Sequence, residues 1–370
     1  MRDHRPVDVI VIGSGITGTS CSYHLRRLGY KTKMISSPLV RRSTPEGKAI
    51  ACAGTSDLIT RMSDARGVDF AEKIWAYYGR AMTHLLSYLQ EKGIPVVQGG
   101  RYYFSKDALE QSEHDAALVH AAFSSASIAT PKLALAAIQQ EPKTLCFDID
   151  HLLTSLCEGE EVISDHVCNI SQTDGGTLCI ETQGNQYTSE MVVLAAHAAI
   201  GDFDCLPDGS LVPYEDQAIL LESRLPSPYH VLGNYYSWKH NHFWVQVIGE
   251  RLLRVGGARF LRDRAGIGGH QLTIHKKSAD LVCQSVQDMF ACDIGAISIV
   301  PTVGCLPCDE VAVIGPSTLN DRILLATGFG SVGLSGGFEA GRCLAQMVDS
   351  GVSSDLPREF WPERLRHFGG

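Results

Sequence analysis

The chain has 370 residues, of which 44% are apolar and 20% charged. This is the composition of a globular protein too long for one ordinary core, so two domains are expected. Its 32 Lys and Arg against 41 Asp and Glu leave a net charge of −9, which excludes the basic footprint of a nucleic-acid binder. Five arginines gather between Arg251 and Arg264, in the manner of a solvated charged rim. The N-terminal MRDHRPVD runs into a short strand rather than a secretory apolar region, and no apolar run approaches the ~20 residues of a membrane span. Membrane contact is therefore expected to be peripheral at most. Twelve cysteines are scattered, several inside apolar segments as at Cys146, Cys168 and Cys179, which reads as small buried hydrophobes in a reducing cytoplasm.

In chain order, Val7–Ile12 reads as a buried strand, Gly15–Leu28 as a helix stopped by Gly29, and Lys31–Ile35 as a second strand. Phe70, Ile74, Tyr77, Tyr78, Leu85 and Leu89 mark an amphipathic helix over 68–92. Residues 94–104 read as strand, 107–141 as broken helix, and Leu152, Leu153 and Leu156 as one more helix. Short strands follow at Val162–Ile170, Thr177–Thr182 and Met191–Ala196. The stretch 211–300 is strand-rich, with Phe243–Ile248 and Leu252–Val255 the clearest pair. There Trp244 and Gln246 share one face and Phe243 and Val245 the other, so one face is expected to wall a pocket. Val311–Ile314, Ile323–Ala326 and a helix at Ser335–Val348 close the chain.

Gly13, Gly15 and Gly18 fit G-x-G-x-x-G after a strand and at the opening of a helix. The first glycine permits the tight turn, the second lets a pyrophosphate reach the backbone, and the third lets helix and strand pack closely. The helix N-terminus offers free N–H groups and a positive dipole end. Ser14, Ile16 and Thr17 complete the loop. An acid normally ends the second strand and holds the ribose; Ser36 stands there instead, followed by Ser37. Serines near Arg41 and Arg42 also suit a 2′-phosphate, so this loop leaves NADP open beside FAD.

A second glycine-rich segment, Gly328, Phe329, Gly330, Ser331, Val332, Gly333 and Leu334, lies between a strand and the last helix. A simple NADP domain has no need of it. It suits a flavin, whose ring gains negative charge at the edge facing the dipole of such a helix.

From these residues outward the sequence resembles the D-amino acid oxidase-like group of FAD-dependent oxidoreductases, which includes glycine oxidase, sarcosine oxidase and D-amino acid dehydrogenase. RRST at Arg41–Thr44 and ACAG at Ala51–Gly54 resemble the family's Arg-Arg-Thr-Thr and Ala-Ala-Gly loop beside the flavin. GRYYFS, MVVLAAHAA, VPYEDQAIL (the family's Val-Pro-x-x-Gly-Gln), LLRVGGAR and CDEVAVIGPS resemble further family segments in the same order. The resemblance implies an α/β Rossmann-like FAD-binding domain of the glutathione reductase type, discontinuous at 1–93, 141–204 and 297–370. An α+β substrate domain on a mostly antiparallel sheet would occupy 94–140 and 205–296. It implies FAD contacts at Arg42, Ser43, Thr44, Ala53, Gly54, Val167 (the adenine) and Ala196.

Three departures stand out: Ser36 for the ribose carboxylate, His197 for a glycine that passes close to FAD, and a missing arginine. The family's Gly-Leu-Arg-Pro, whose arginine pairs with the substrate carboxylate, reads IVPTVGCLPCDE here. No arginine or lysine lies between Ile294 and Asp309. Arg61, then Arg259, are the expected replacements. Cys305 and Cys308 form a C-x-x-C in the vacated loop, too few ligands for zinc but suited to electron exchange or a covalent tether to the ring. The expected activity is oxidation of a small amine or amino acid, with oxygen or a quinone receiving the electrons and a homo-oligomer as one assembly. The alternatives are an FAD-binding protein without turnover and an NADP-dependent reductase.

Overall fold

The computed structural model describes residues 7–39, 46–55, 58–106, 112–113, 131, 136–269 and 271–367. In chain order the elements are β1 (Val7–Ile12), α1 (Ile16–Arg27), β2 (Thr32–Ser36), β3 (Lys48–Ala51), α2 (Ile59–Arg66), α3 (Val68–Glu91), β4 (Val96–Ser105) and β5 (Ala136–Asp148). Then come α4 (Ile149–Leu156), β6 (Val162–Ser164), β7 (Val167–Gln172), β8 (Leu178–Thr182), β9 (Gln186–Leu194), β10 (Leu211–Glu222), β11 (Tyr235–Trp238), β12 (Phe243–Val247) and β13 (Leu252–Gly257). The last are α5 (Lys276–Phe290), β14 (Gly295–Pro307), β15 (Val313–Pro316), β16 (Ile323–Thr327) and α6 (Gly333–Ser350). Among the described residues no helix is long and apolar enough to cross a membrane.

Two compact units divide the chain. Unit 1 comprises Met1–Ser43, Asp150–Val212 and Cys305–Gly370. Its sheet runs β15-β16-β9-β1-β2-β6, and β16, β9, β1, β2 and β6 are parallel. The β7–β8 ribbon joins it antiparallel through β9. Strands in such a sheet are buried on both faces, and Val9, Ile10, Val11, Val192, Val193, Leu194, Leu324 and Leu325 are. The parallel strands end at one edge, where loops 13–15, 36–37, 195–197 and 328–332 gather.

Helices α1 and α6 lie against one face in parallel, and glycines set their distance. A Cβ on Gly337 would sit 2.6 Å from Thr17 Oγ1, and one on Gly341 would sit 2.5 Å from the Thr17 carbonyl oxygen. Ser20 Oγ donates to the Phe338 carbonyl at 2.6 Å in the seam between them. Farther along α6, buried Glu339 pairs with Arg342, which also holds Asp355. Arg364 makes a two-pronged ion pair with Asp309 and fastens the last turn to the β14–β15 loop.

Unit 2 comprises Thr44–Ile149 and Pro213–Gly304. Its sheet runs β14-β10-β13-β12-β11-β4-β5-β3, antiparallel at the β3–β5, β4–β5, β10–β13, β11–β12 and β12–β13 pairs. The β4–β11 pair is parallel. One face packs on α5: Val245, Val247, Leu253 and Val255 meet Val282, Val286, Met289 and Phe290. The alternation read from Phe243–Ile248 holds, with Phe243 and Val245 in this core and Trp244 and Gln246 half-buried on the other side.

The units divide the chain elsewhere than the sequence boundaries. Residues 44–93 and 141–149 pack with unit 2, because β3 pairs with β5 and α3 packs on β4 and β5. The helix expected over 107–141 ends differently too: 136–141 belong to β5, where pairing with β4 overrides the helical preference of alanine. Most of 107–135 lies outside the described residues. Helix α5 sits inside a stretch read as strand-rich. The arginine run is only half a rim, since Arg254 and Arg262 are buried while Arg251 and Arg264 are exposed. None of the twelve cysteines is in a disulfide, and Cys168 is exposed rather than buried.

Replacing Gly341 by Ala forces α1 and α6 apart at backbone, where no side chain can give way. A loss of about 1–3 kcal/mol is expected, read as a lower midpoint in thermal or urea unfolding, whereas Gly351→Ala, with open space around it, strains only its own turn.

Candidate functional site: the glycine loops of unit 1 and the polar face of unit 2

The three glycines of the first loop do separate work. Gly13 has φ +110, donates its N–H to the Ile35 carbonyl at 2.9 Å, and has room for a Cβ only inside the Ala195 carbonyl. At Gly18 a Cβ would fall 1.9 Å from the Gly13 carbonyl oxygen. These two are required by the fold. Gly15 is not: its φ is −75, and a Cβ there would meet nothing within 4 Å. It is also the N-cap of α1, with no side-chain cap and no acid in the first turn. A glycine that the protein leaves in open space, at a helix end left uncapped, fits a ligand that needs the backbone itself, as a diphosphate does.

Helix α6 repeats the arrangement. Its N-terminus also lacks a side-chain cap and an acid in the first turn. Gly337 lies against Ile16 and Thr17, so the two first turns are neighbours at the same edge of the sheet. The leading residues Gly330–Val332 form one turn of 3₁₀ helix running into α6. Gly328 (φ +74) is held to glycine by Pro307, whose Cγ would be 2.4 Å from a Cβ.

At the end of β2, Ser14 and Ser36 share a hydrogen bond of 2.6 Å. Ser37 Oγ meets His166 Nδ1 at 3.0 Å. Asp165 follows β6, the neighbour of β2, and donates its N–H to the Ser36 carbonyl at 3.1 Å. Its carboxylate accepts from Thr182 Oγ1 at 2.6 Å and from the His166 N–H at 2.8 Å, which hold it below its ordinary pKa of 3.8. An acid thus stands beside the place where the sequence lacked one, already committed to tying β6 to β8. A cavity of ≈720 Å³ opens between Ser14 and α4, with His151, Thr154, Ser155 and Val162 in its wall.

His197 takes φ +55, the left-handed conformation that favours glycine, and its carbonyl accepts from Thr327 Oγ1 at 2.9 Å. Ala196 precedes it in the same turn. Val167 buries its side chain in the unit 1 core, so only its main chain is left to meet a ligand. Arg42, Ser43 and Thr44 lie outside the described residues. Burial pushes the Cys305 thiol up to about 11. Cys308, the other half of the C-x-x-C, is exposed.

In unit 2 the loop carrying Ala53 and Gly54 is gripped from the sheet. Arg101, 2% exposed on β4, donates to the Ala53 carbonyl at 2.5 Å and the Thr55 carbonyl at 2.7 Å. Gly54 (φ +73) lies on the Trp75 ring, where a Cβ would be 2.8 Å away. The sheet face opposite α5 is polar. Arg101, Tyr235, Gln246 and Arg254 form one cross-strand row, and Tyr103, Ser237, Trp244 and Gly256 the next. Arg61 donates to Tyr103 Oη at 3.3 Å, and Arg259 lies 4.0 Å from the Tyr214 ring centroid. Sequence reasoning missed Arg101, Arg254 and Ser237. Period-two alternation from Trp244 and Gln246, carried to the paired strands, was the signal for all three.

The FAD dependent oxidoreductase (DAO) pattern matches residues 8–347. The chain belongs to this family. Its cofactor is FAD, and the NADP reading left open by Ser36 falls away. Among solved structures it is similar to iminodiacetate oxidase from Chelativorans sp. BNC1, at 19% identity, TM-score 0.73, and 96% and 98% of the two chains covered. L-proline dehydrogenase from P. horikoshii aligns at 15% identity and TM-score 0.76 over 98% and 99%. Glycine oxidase from Geobacillus kaustophilus aligns at 14% identity and TM-score 0.70 over 96% and 98%. No curated protein sequence matches. As a member of this family the chain is an FAD-dependent oxidoreductase.

Two outcomes test the loop readings. Gly15→Ala leaves the unfolding midpoint of the cofactor-free protein nearly unchanged but weakens FAD binding tenfold or more by fluorescence titration; Gly13→Ala and Gly18→Ala fail at folding. For Asp165, a pKa lowered by folding contributes stability above the unfolded value and loses it as pH falls through the folded one. Asp165→Asn is therefore less stable than the parent at neutral pH, and the two melting curves converge below about pH 4.

Proposed function

We propose that the protein oxidises the C–N bond of a small amine or amino acid of the glycine, D-amino acid or sarcosine kind, with FAD as its electron acceptor. The observation that carries the cofactor half is Gly15: an open glycine on an uncapped helix, beside a second uncapped helix end, is a cradle for a diphosphate. The substrate half rests on chemistry common to the compounds named with the similar structures. Iminodiacetate, proline and glycine each carry nitrogen on the carbon next to a carboxylate.

Within unit 1, Gly13–Gly18, Ser36, Ser37, Ala196, His197 and the 328–334 loop would hold the cofactor. Bound there, FAD supplies a ring that takes two electrons as hydride from the carbon beside the nitrogen. The chain's own residues orient. The dipole of α6 favours negative charge near its first turn, and the polar face of unit 2 offers hydrogen-bonding groups to a substrate. The substrate amine must give up its extra proton to water or to a side chain before the C–H bond breaks, and the imine product hydrolyses in water. Oxygen or a quinone then takes the electrons. Arg61 and Arg259 are the sequence's candidates for a substrate carboxylate, and each already lies on a tyrosine.

The test is anaerobic titration of the purified yellow protein with glycine, sarcosine, D-alanine, L-proline and iminodiacetate. At least one is expected to bleach the flavin absorbance. Bleaching by none favours an FAD-binding role without turnover, the reading that the cation-free stretch between Ile294 and Asp309 supports.

A further inference from the structure

Arg254 is 6% exposed, and its guanidinium has one hydrogen bond, from Nη2 to the Glu46 carbonyl at 3.4 Å. Its Nε is buried without a partner. Among the described residues no carboxylate reaches it. The other buried guanidiniums are better engaged, though not fully: Arg262 pairs with Glu215 and leaves one Nη without a partner, and Arg101 gives both terminal nitrogens to carbonyls and leaves its Nε without one; the half-buried Arg342 and Arg364 each pair with carboxylates. A buried, unpaired charge is among the most unfavourable features a fold can keep. Burial accordingly pulls the Arg254 pKa down.

Gln246 stands directly opposite Arg254 in the β12–β13 register, on the same face. Facing residues of an antiparallel pair have Cβ atoms about 4.5–5.5 Å apart. The side-chain oxygen of Gln246 is also buried without a partner, as is the hydroxyl of fully buried Ser237 in the next row. An unused acceptor beside an unused fork of donors matches a ligand that carries an N–H and an acid on neighbouring atoms.

We propose that Arg254 and Gln246 form the polar clamp for an α-amino or α-imino acid, the guanidinium holding the carboxylate and the amide oxygen accepting from the nitrogen. This rests on the amine-oxidation reading and narrows it to acids. It places the missing carboxylate partner on β13 rather than in the β14–β15 loop.

The test is calorimetric titration of the FAD-loaded protein with three compounds that carry no oxidisable amine carbon beside an acid. These are glycolate (acid alone), ethylamine (amine alone) and pyrrole-2-carboxylate (acid with an adjacent N–H). Pyrrole-2-carboxylate is expected to bind most tightly and ethylamine least. Arg254→Gln weakens both acids tenfold or more while keeping its FAD and melting no lower than the parent, since it removes an unpaired charge. Gln246→Leu weakens pyrrole-2-carboxylate and spares glycolate. Arg254→Lys, which keeps the charge but not the fork, lies between, and serves if the glutamine variant does not fold. Unchanged acid binding in Arg254→Gln, ethylamine binding as tightly as the acids, or loss of FAD from Arg254→Gln overturns the proposal; the last would give Arg254 to a cofactor phosphate. Binding is read without turnover, so this result and the bleaching result fail independently.

Discussion

Two helix N-termini stand side by side at one edge of a parallel sheet, and neither has a side-chain cap or an acid in its first turn. Each end carries the equivalent of about half a positive charge and several unsatisfied N–H groups. Their closeness is permitted by Gly337 against the Thr17 and Ile16 side chains and by Gly341 against the backbone of α1. A polyanion resolves this, and much of unit 1 serves to keep the place ready. Gly13 is locked between Ile35 and Ala195, Ser14 is braced by Ser36, and the β16 end is fixed to His197 through Thr327.

Unit 2 shows the complementary device. Its sheet spends one face on an ordinary apolar core under α5 and keeps the other polar at half-buried and buried positions. A row running Arg101, Tyr235, Gln246, Arg254 is an unfavourable choice for stability alone. Arg101 is used internally, as a permanently charged clasp on the loop carrying Ala53 and Gly54. Arg254 makes only one long bond, to the Glu46 carbonyl, and that difference from Arg101 is what the proposed ligand role rests on.

Much of unit 1 was legible in the sequence because its signals are local. A buried strand, a glycine turn and an amphipathic helix follow each other within about twenty residues, and the structure places them within a residue or two. The α1–α6 seam was less plain, although the four-residue spacing of Gly337 and Gly341 marks a close helix contact. The middle of the chain was harder. Helix α5 carries its own signal in Ala279, Val282, Val286 and Met289 but lies among strands, and residues 136–141 have helical composition and strand partners. Arg254 was hidden by company: five arginines in a short run read as a surface, while the strand beneath turns one of them inward. Asp165 was invisible for another reason. It is a neighbour of Ser36 only across the β2–β6 pairing, over a hundred residues away in the chain.

The hydrogen bond from Ser20 to Phe338 spans 318 residues. During synthesis α1 emerges some three hundred residues before the helix that packs on it. Until the ribosome has delivered α6, α1 has its glycine-sized groove open to solvent and β1 lacks the far side of its layer. Assembly of the nucleotide unit therefore waits on α6, and a nonsense codon upstream of α6 disables the glycine loop that precedes α1.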